Sequence, residues 1–136
     1  MRVLFGITMV FLISGFVWYL IRLNTLDPGE SGSQVNVASL FVRKSLKEPL
    51  RRFRDDVGRY PTTEEGLLGL IHCPEGESNV WMGPYIDPQY PAPPIDPWGR
   101  PYEYRSPGLW NRDSYDVWSL GPDGVQSGDD LANWRN

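Results

Sequence analysis

Three carboxylates near the end of the chain are the residues best placed to do chemistry. Asp123, Asp129 and Asp130 fall within eight residues, and Gly124 and Gly128 lie between them. Glycines let the backbone curl, and carboxylates brought together repel one another unless they reach into water or are gathered by a cation. Oxygen ligands at irregular spacing suit calcium, which accepts about six to eight oxygens in a flexible geometry. The helix–loop–helix calcium motif is absent, so these residues alone leave open a calcium site and a plain acidic turn, and they favour the turn.

The sequence contains one histidine and one cysteine, His72 and Cys73, which are neighbours. Adjacent side chains rarely face each other, so a cysteine–histidine nucleophile is not expected, and Cys73 is predicted to lie partly buried at the end of a short helix. This composition also excludes an intrachain disulfide and a metal site built from cysteines. A phosphate-binding glycine loop, a serine-elbow motif and the paired carboxylates of glycoside hydrolases do not occur in the sequence. The sequence therefore predicts that the protein is not an enzyme.

Composition and charge restrict the class of protein. The length of 136 residues allows one modest domain with its attachments. Six Trp and seven Tyr indicate a folded chain, whereas 14 Gly and 13 Pro argue against a helical bundle. Residues 1–59 hold nine Lys and Arg against five Asp and Glu, and residues 60–136 hold four against twelve. The acidic second part would repel a nucleic acid backbone, so no nucleic acid partner is expected.

An uncharged segment at the start of the chain predicts a membrane anchor over residues 1–22. Residues 3–21 carry no charge and would span roughly 28 Å as a helix, close to the ~30 Å hydrocarbon core of a bilayer. Trp18 and Tyr19 fit the aromatic belt at a membrane interface. A cleaved secretory signal is the alternative, but no small-x-small cleavage site follows the segment. The flanking charges favour only slightly an orientation with the N-terminus inside.

A flexible linker is predicted over residues 23–36, between the anchor and a domain at residues 37–136. Residues 27–33 combine a helix-breaking proline with two glycines and small polar residues. The backbone is therefore not expected to remain helical through this stretch.

An amphipathic helix is predicted from Val37 to Gly58, with a kink or break at Pro49 because proline lacks a backbone N–H. The apolar face comprises Leu40, Phe41, Leu46, Leu50, Phe53 and Val57. The opposite face carries six basic residues: Arg43, Lys44, Lys47, Arg51, Arg52 and Arg54. Such a face could contact anionic lipid or an acidic partner, although a solvated face balanced by nearby acidic residues is the simpler interpretation.

The remainder predicts a short helix, a proline-rich loop and a small sheet. Thr62 and the carboxylates after it are typical of a helix start. Residues 84–101 contain seven prolines, too many for a helix or an interior strand. Residues 102–105 and 115–120 are rich in β-formers and predict an antiparallel pair. Nearby tryptophans could stack on a sugar or peptide, but in a domain this small they more simply form the core: Trp81, Trp98 and Trp110.

Three blocks of sequence closely resemble the G-type major pseudopilins of type II secretion systems: residues 59–67 (RYPTTEEGL), 96–102 (DPWGRPY) and 115–124 (YDVWSLGPDG). They occur in the family's order, and the resemblance covers about residues 45–134. It implies an α+β, type IV pilin-like fold, in which a long N-terminal helix packs on a small antiparallel sheet. It also implies a subunit that stacks with other pseudopilins, or with copies of itself, into a periplasmic pseudopilus anchored in the bacterial inner membrane.

The resemblance further implies structural calcium in the last loop. Carried over by position, side-chain oxygens would come from Asp123 and from Asp129, Asp130 or both. Backbone carbonyls of Leu120, Val125 and Ser127 would complete the shell. Calcium would then close an irregular loop that has little core of its own, because a ligand that binds only the folded form stabilises it.

The start of the chain departs from the family pattern. Residues 6–11 (GITMVF) only partly resemble the family's cleavage site, and Phe11 stands where the family has a glutamate that meets a neighbouring subunit. Cleavage and methylation after Gly6 are therefore not expected. Two functions remain: a pseudopilus subunit, or a membrane-tethered module that does not polymerise and binds a protein or polysaccharide through the aromatic loop at residues 81–98.

Overall fold

The computed structural model describes residues 28–89 and 92–135. The predicted membrane span at residues 3–21 and the leader-like residues 6–11 lie outside these ranges. Among the described residues, no helix combines the length and apolar character needed to cross a bilayer. The chain divides into two compact units, Met1–Ser33 and Gln34–Asn136, and the three strands given below lie in the second.

The first described helix, α1, runs from Pro28 to Leu40. The prediction of non-helical backbone over residues 27–33 was therefore wrong for residues 28–33. Proline is tolerated in the first turn of a helix, where its missing N–H would have no partner. Each of the two glycines that follow costs only about 1 kcal/mol relative to alanine.

A π-helical turn, Phe41–Ser45, separates α1 from the second helix, α2, which spans Lys47–Val57. The Leu46 N–H donates to the Phe41 carbonyl, five residues back, at 3.1 Å. Pro49 has no N–H to donate to the Ser45 carbonyl, four residues before it. The regular helix is therefore interrupted in the turn that precedes Pro49. The break lies before Pro49 and not at it as predicted, since Pro49 is inside α2, whereas the predicted stop at Gly58 (φ 85°) is confirmed.

The helices contribute one buried stripe to the core. Its residues are spaced by four, four, four and three, which keeps them on one face: Ala38, Val42, Leu46, Leu50 and Phe53. Phe53 meets Tyr85 edge to face at 5.7 Å, and Phe41 stacks on Tyr102 at 4.5 Å between ring centroids. The predicted basic face is exposed, but part of it is balanced locally, since Arg51 pairs with Glu48 and Asp55.

The segment after α2 begins with a capping box rather than an α-helix. The Thr62 hydroxyl accepts from the Glu65 N–H at 3.2 Å, while the Glu65 carboxylate accepts from the Thr62 N–H at 2.8 Å. A 3₁₀ helix, Gly66–Leu70, follows and buries Leu67 and Leu70. Gly66 has a positive φ of 55°, which is incompatible with regular α-helix and explains the short element.

The sheet has three antiparallel strands in the order β1–β2–β3: Glu103–Arg105, Asp116–Ser119 and Leu131–Ala132. Tyr104 lies opposite Val117, which confirms the predicted strand pair, and Trp118 lies opposite Ala132. Strand β3 was not predicted, since two residues are too few to show an alternating pattern. The described part of the chain is thus an α+β domain, as expected.

The tryptophans divide between the core and the surface. Trp81 and Trp98 are partly buried and pack against the core, as predicted, whereas Trp110 is 69% exposed and is not part of it. Trp110 stacks on Trp134 at 6.2 Å, and Trp118 meets Trp134 edge to face at 5.6 Å. We refer to Trp110, Trp118 and Trp134 as the tryptophan cluster.

Candidate metal-binding loop

The predicted metal ligands lie in the connection between β2 and β3, residues 120–130, which we call the acidic loop. Two glycines with left-handed backbone shape its first part, Gly121 (φ 67°) and Gly124 (φ 72°). A Cβ at Gly121 would lie 2.9 Å from Asp129 Oδ2. Glycine is therefore required there both for the backbone angle and for the approach of Asp129 to the start of the loop.

All three carboxylates of the loop contact Ser127. The Ser127 Oγ lies 3.3 Å from Asp123 Oδ2 and is also within hydrogen-bonding distance of Asp129 Oδ1, and the Ser127 N–H donates to Asp130 Oδ1 at 3.1 Å. A hydroxyl has a single hydrogen, so it can donate to only one of Asp123 and Asp129 at a time. The other carboxylate then faces the hydroxyl oxygen without a hydrogen between them, an arrangement that a cation would relieve.

The structure brings together most of the predicted ligands but does not close them around one point. Asp123 and Asp129 are exposed, whereas Asp130 is 6% exposed. Leu120 and Val125 belong to the same loop, and the Val125 N–H donates to Asp123 Oδ1 at 3.0 Å. Within residues 28–89 and 92–135, no three His, Cys, Asp or Glu side chains form a group that could by itself hold a metal. Backbone or water oxygens would have to complete a shell, which is ordinary for calcium.

Arg135 also holds the acidic loop. Arg135 Nη1 donates to the carbonyls of Ser127 and Gly128, at 3.3 Å and 3.1 Å. The Ser127 carbonyl thus already has a cationic partner, so the Ser127 hydroxyl is the more available of its two oxygens as a ligand.

Three residues that fix the start of the loop were not predicted from the sequence: Asp96, Arg100 and Ser119. They appeared only as members of the family-like blocks. One signal was present, because an aspartate followed by Pro-x-Gly commonly bonds to its own backbone two residues on. The Asp96 carboxylate does accept from the Trp98 N–H at 3.0 Å, but its contact with Ser119, at 2.6 Å, joins residues far apart in sequence and could not be predicted.

A second buried carboxylate, Asp116 on β2, organises a different loop. It accepts hydrogen bonds from the backbone N–H groups of residues 109, 110 and 111 and from Asn111 Nδ2, at 2.6–3.0 Å. A Cβ at Gly108 would lie 2.6 Å from Asp116 Oδ1, so the loop backbone passes directly over the carboxylate. The donors to Asp116 among the described residues are neutral, and Asp116 supports the conformation of a turn.

The neighbouring His72 and Cys73 do not form a reactive pair. Both are exposed, and the Cys73 thiol donates to the Pro74 carbonyl at 3.4 Å. The prediction that Cys73 is partly buried was wrong, because the short helix ends at Leu70 and the chain has already left the core two residues later.

Comparisons with known proteins agree with the fold and with the sequence blocks. Residues 26–134 match the family model described as type II secretion system (T2SS), protein G. The type II secretion system core protein G of Klebsiella pneumoniae is 38% identical over 135 residues, covering 96% of this chain and 91% of that protein. The core protein G of Aeromonas hydrophila is 34% identical, covering 97% and 90%.

A comparison with solved structures also finds a relative with a similar fold. The crystal structure of the major pseudopilin from the type 2 secretion system of enterohaemorrhagic Escherichia coli matches with a TM-score of 0.66 at 32% identity, covering 81% of this chain and 90% of that one. The relatives are structural components of a secretion system rather than enzymes. The chain belongs to the type II secretion system protein G family, the major pseudopilins.

Proposed function

We propose that this protein is a structural subunit of a pseudopilus in a type II protein-export machine, and that calcium stabilises its acidic loop. Its partners would be other pseudopilins, inner-membrane components of the system and further copies of itself. The supporting observation is the match to core protein G sequences over nearly the full length of both chains. The domain would face the periplasm, anchored in the inner membrane by residues 3–21.

The alternative, a tethered module that binds through residues 81–98, has less support. The Trp81 Nε1–H donates to the Gly69 carbonyl at 3.0 Å, and the Trp81 ring packs on Tyr85 at 5.6 Å. This tryptophan is therefore occupied within the fold. A stacking site for a sugar or peptide needs an aromatic face that is free and rigidly presented.

The calcium proposal is supported by the donors in the acidic loop. Asp123 and Asp129 are exposed and contact the same hydroxyl, so two negative charges lie close together at the surface of the loop. When bound, calcium would supply positive charge to these oxygens. Asp123, Asp129 and the Ser127 hydroxyl would hold it, with Asp130 and the carbonyls of the loop as additional donors.

We expect calcium to raise the melting temperature of the protein, since binding to the folded form alone stabilises it by RT ln(1 + [Ca²⁺]/Kd). At a calcium concentration about 100 times Kd the gain is roughly 2.7 kcal/mol. Differential scanning fluorimetry in EDTA and in calcium measures it. Asp123→Ala should abolish most of the shift.

Asp113→Ala is the matched control, because Asp113 is an exposed aspartate outside the acidic loop. It should keep the full calcium shift. An Asp123→Ala variant that calcium stabilises as much as the parent would count against this site, and equal loss of the shift in both variants would point to a nonspecific charge effect.

Location and processing can be tested in cells. We expect the full chain in the inner-membrane fraction, with the C-terminal domain digested by protease only after the outer membrane is opened. Intact-mass measurement of the extracted protein shows whether its N-terminus has been cleaved and methylated. An intact Met1 would agree with the absence of cleavage expected from Phe11, whereas a methylated Ile7 would contradict that expectation and show processing as in a standard pilin-type subunit.

A further inference from the structure

A turn ahead of the sheet holds the first residues of the acidic loop. This turn, residues 96–100, is closed by Asp96, whose Oδ1 accepts from the backbone N–H groups of Trp98 and Arg100 at 3.0 Å and 2.9 Å. The other oxygen, Oδ2, accepts from the Ser119 hydroxyl at 2.6 Å. Asp96 is 3% exposed and Ser119 is fully buried. The carboxylate therefore joins the turn to the end of β2 with all contacts inside the protein.

Ser119 also connects this turn to the acidic loop. Ser119 Oγ donates its hydrogen to Asp96 and accepts from the Gly121 N–H at 3.2 Å. Gly121 is the residue whose φ of 67° directs the chain toward Asp129. A buried hydrogen bond to a carboxylate is strong, and loss of one partner leaves the other unsatisfied.

Arg100 holds the loop from the same turn. Its Nη2 donates to the Gly121 carbonyl, and its Nη1 lies 3.0 Å from the position that a Cβ on Gly124 would occupy. The Arg100 Nε is buried and has no hydrogen-bond partner among the described residues. The guanidinium thus packs against both glycines of the loop.

We propose that Asp96, Arg100 and Ser119 are positioning residues for the calcium loop: they hold residues 120–124 in the conformation that binds the ion. The proposal rests on the calcium site put forward above. None of these three residues needs to touch calcium. Their effect is to reduce the conformational entropy that the loop would otherwise lose on binding, which raises affinity without a new contact to the ligand.

Arg100 allows a decisive test, because a fixed positive charge beside the loop could act in the opposite direction. If Arg100 acted only through its charge, it would repel calcium, and Arg100→Gln would bind calcium more tightly than the parent. If it positions the loop, Arg100→Gln should bind roughly tenfold more weakly. Arg100→Lys keeps the charge and an N–H donor group, so it should recover part of the affinity, but not all of it because lysine lacks the planar fork of arginine.

Ser119→Ala tests the buried link without changing charge. It removes the hydroxyl that joins Asp96 to Gly121 and should also weaken calcium binding roughly tenfold, measured by isothermal titration calorimetry. Hydrogen exchange in EDTA gives a readout that needs no metal. Both Ser119→Ala and Arg100→Gln should speed exchange of the backbone amides of residues 120, 121, 123 and 124.

Arg59→Gln is the matched control. Arg59 is another partly buried arginine that ties loops together, through Glu65 at 2.7 Å and Glu77 at 2.8 Å. Its loss should lower the melting temperature equally with and without calcium, leaving calcium affinity and acidic-loop exchange at parental values. This separates positioning from general loss of stability.

The outcomes distinguish the two proposals. A parent protein that takes up no calcium overturns both. A parent that binds calcium, with Arg100→Gln and Ser119→Ala folded and binding equally well or better, overturns only the positioning role. Weaker binding in Arg59→Gln of the same size as in the two test variants would also overturn it, because the effect would then follow stability alone.

Discussion

Asp116 illustrates how much structure one buried residue can organise. Its carboxylate is 1% exposed and accepts four hydrogen bonds, three of them from consecutive backbone N–H groups. A carboxylate can satisfy several donors at once, and a short turn of consecutive N–H groups forms a concave binding surface for it. The loop at residues 108–111 owes its conformation to this side chain.

We expect Asp116→Ala to destabilise the protein by roughly 3–5 kcal/mol, because it leaves buried donors without an acceptor. Urea denaturation followed by circular dichroism measures the loss. The exposed Asp113→Ala should change stability by less than about 0.5 kcal/mol. If both variants unfold at the same urea concentration, the hydrogen bonds of Asp116 contribute no net stability.

At the residue scale, the sequence indicated the exposed carboxylates of the acidic loop but not the buried polar links. The density of carboxylates in residues 123–130 indicated the acidic loop, and Ser127 does bring all three side chains together. The buried links from Asp96 to Ser119 and from Asp116 to its loop were not predicted. Each joins segments through a single contact, and neither composition nor periodicity records such a contact.

Among the elements, α2 has a buried apolar face and an exposed charged face. Phe53 is fully buried on the core face, and Arg51 on the other face pairs with Glu48 at 2.6 Å and Asp55 at 2.5 Å. Exposed ion pairs of this type contribute little, since solvent screens the charges and ordering the long side chains costs entropy.

Phe53→Ala should therefore cost about 3–5 kcal/mol through the cavity it leaves. Arg51→Ala in the same helix should cost less than about 1 kcal/mol. Equilibrium denaturation of the two variants under the same conditions gives the comparison. A larger loss for Arg51→Ala than for Phe53→Ala would mean that the basic face, rather than the core stripe, holds the helix.

At the scale of elements, the segments with clear helical spacing or β-forming composition were predicted. Helical spacing located α2, and β-forming residues located β1 and β2. Residues 28–33 were assigned to a linker because proline and glycine usually interrupt helices. Pro28, however, is the first residue of α1, and a proline in the first turn is compatible with a helix. The two-residue β3 depends on pairing with β2 and has no signal of its own.

For the molecule as a whole, we expect a buried group of tyrosines to limit stability at alkaline pH. Burial, with a smaller effect from nearby Tyr60, raises the pKa of Tyr115 to about 12, and burial also raises the pKa of Tyr104. Tyr104 and Tyr115 stack at 6.0 Å, and the Tyr104 hydroxyl donates to the Pro61 carbonyl at 3.0 Å. The folded protein therefore keeps these phenol protons at a pH at which the unfolded chain releases them.

The direction in which stability changes with pH follows from this difference in pKa between the folded and unfolded protein. Stability from the neutral tyrosines is complete below about pH 10, the pKa of an unperturbed tyrosine, and declines as pH rises toward 12. We expect the urea midpoint to fall over this range. Tyr115→Phe, which cannot ionise at this position, should show a smaller decline, and an identical decline in both proteins would mean that other groups control alkaline unfolding.

The tryptophan cluster has a practical consequence. Trp118 belongs to β2 and Trp134 follows β3, so their edge-to-face contact at 5.6 Å exists only when the two sides of the acidic loop are joined. We expect indole rings this close to couple their electronic transitions and to give a paired band in circular dichroism. The intensity of this band would then report, without any label, whether β3 is paired with β2.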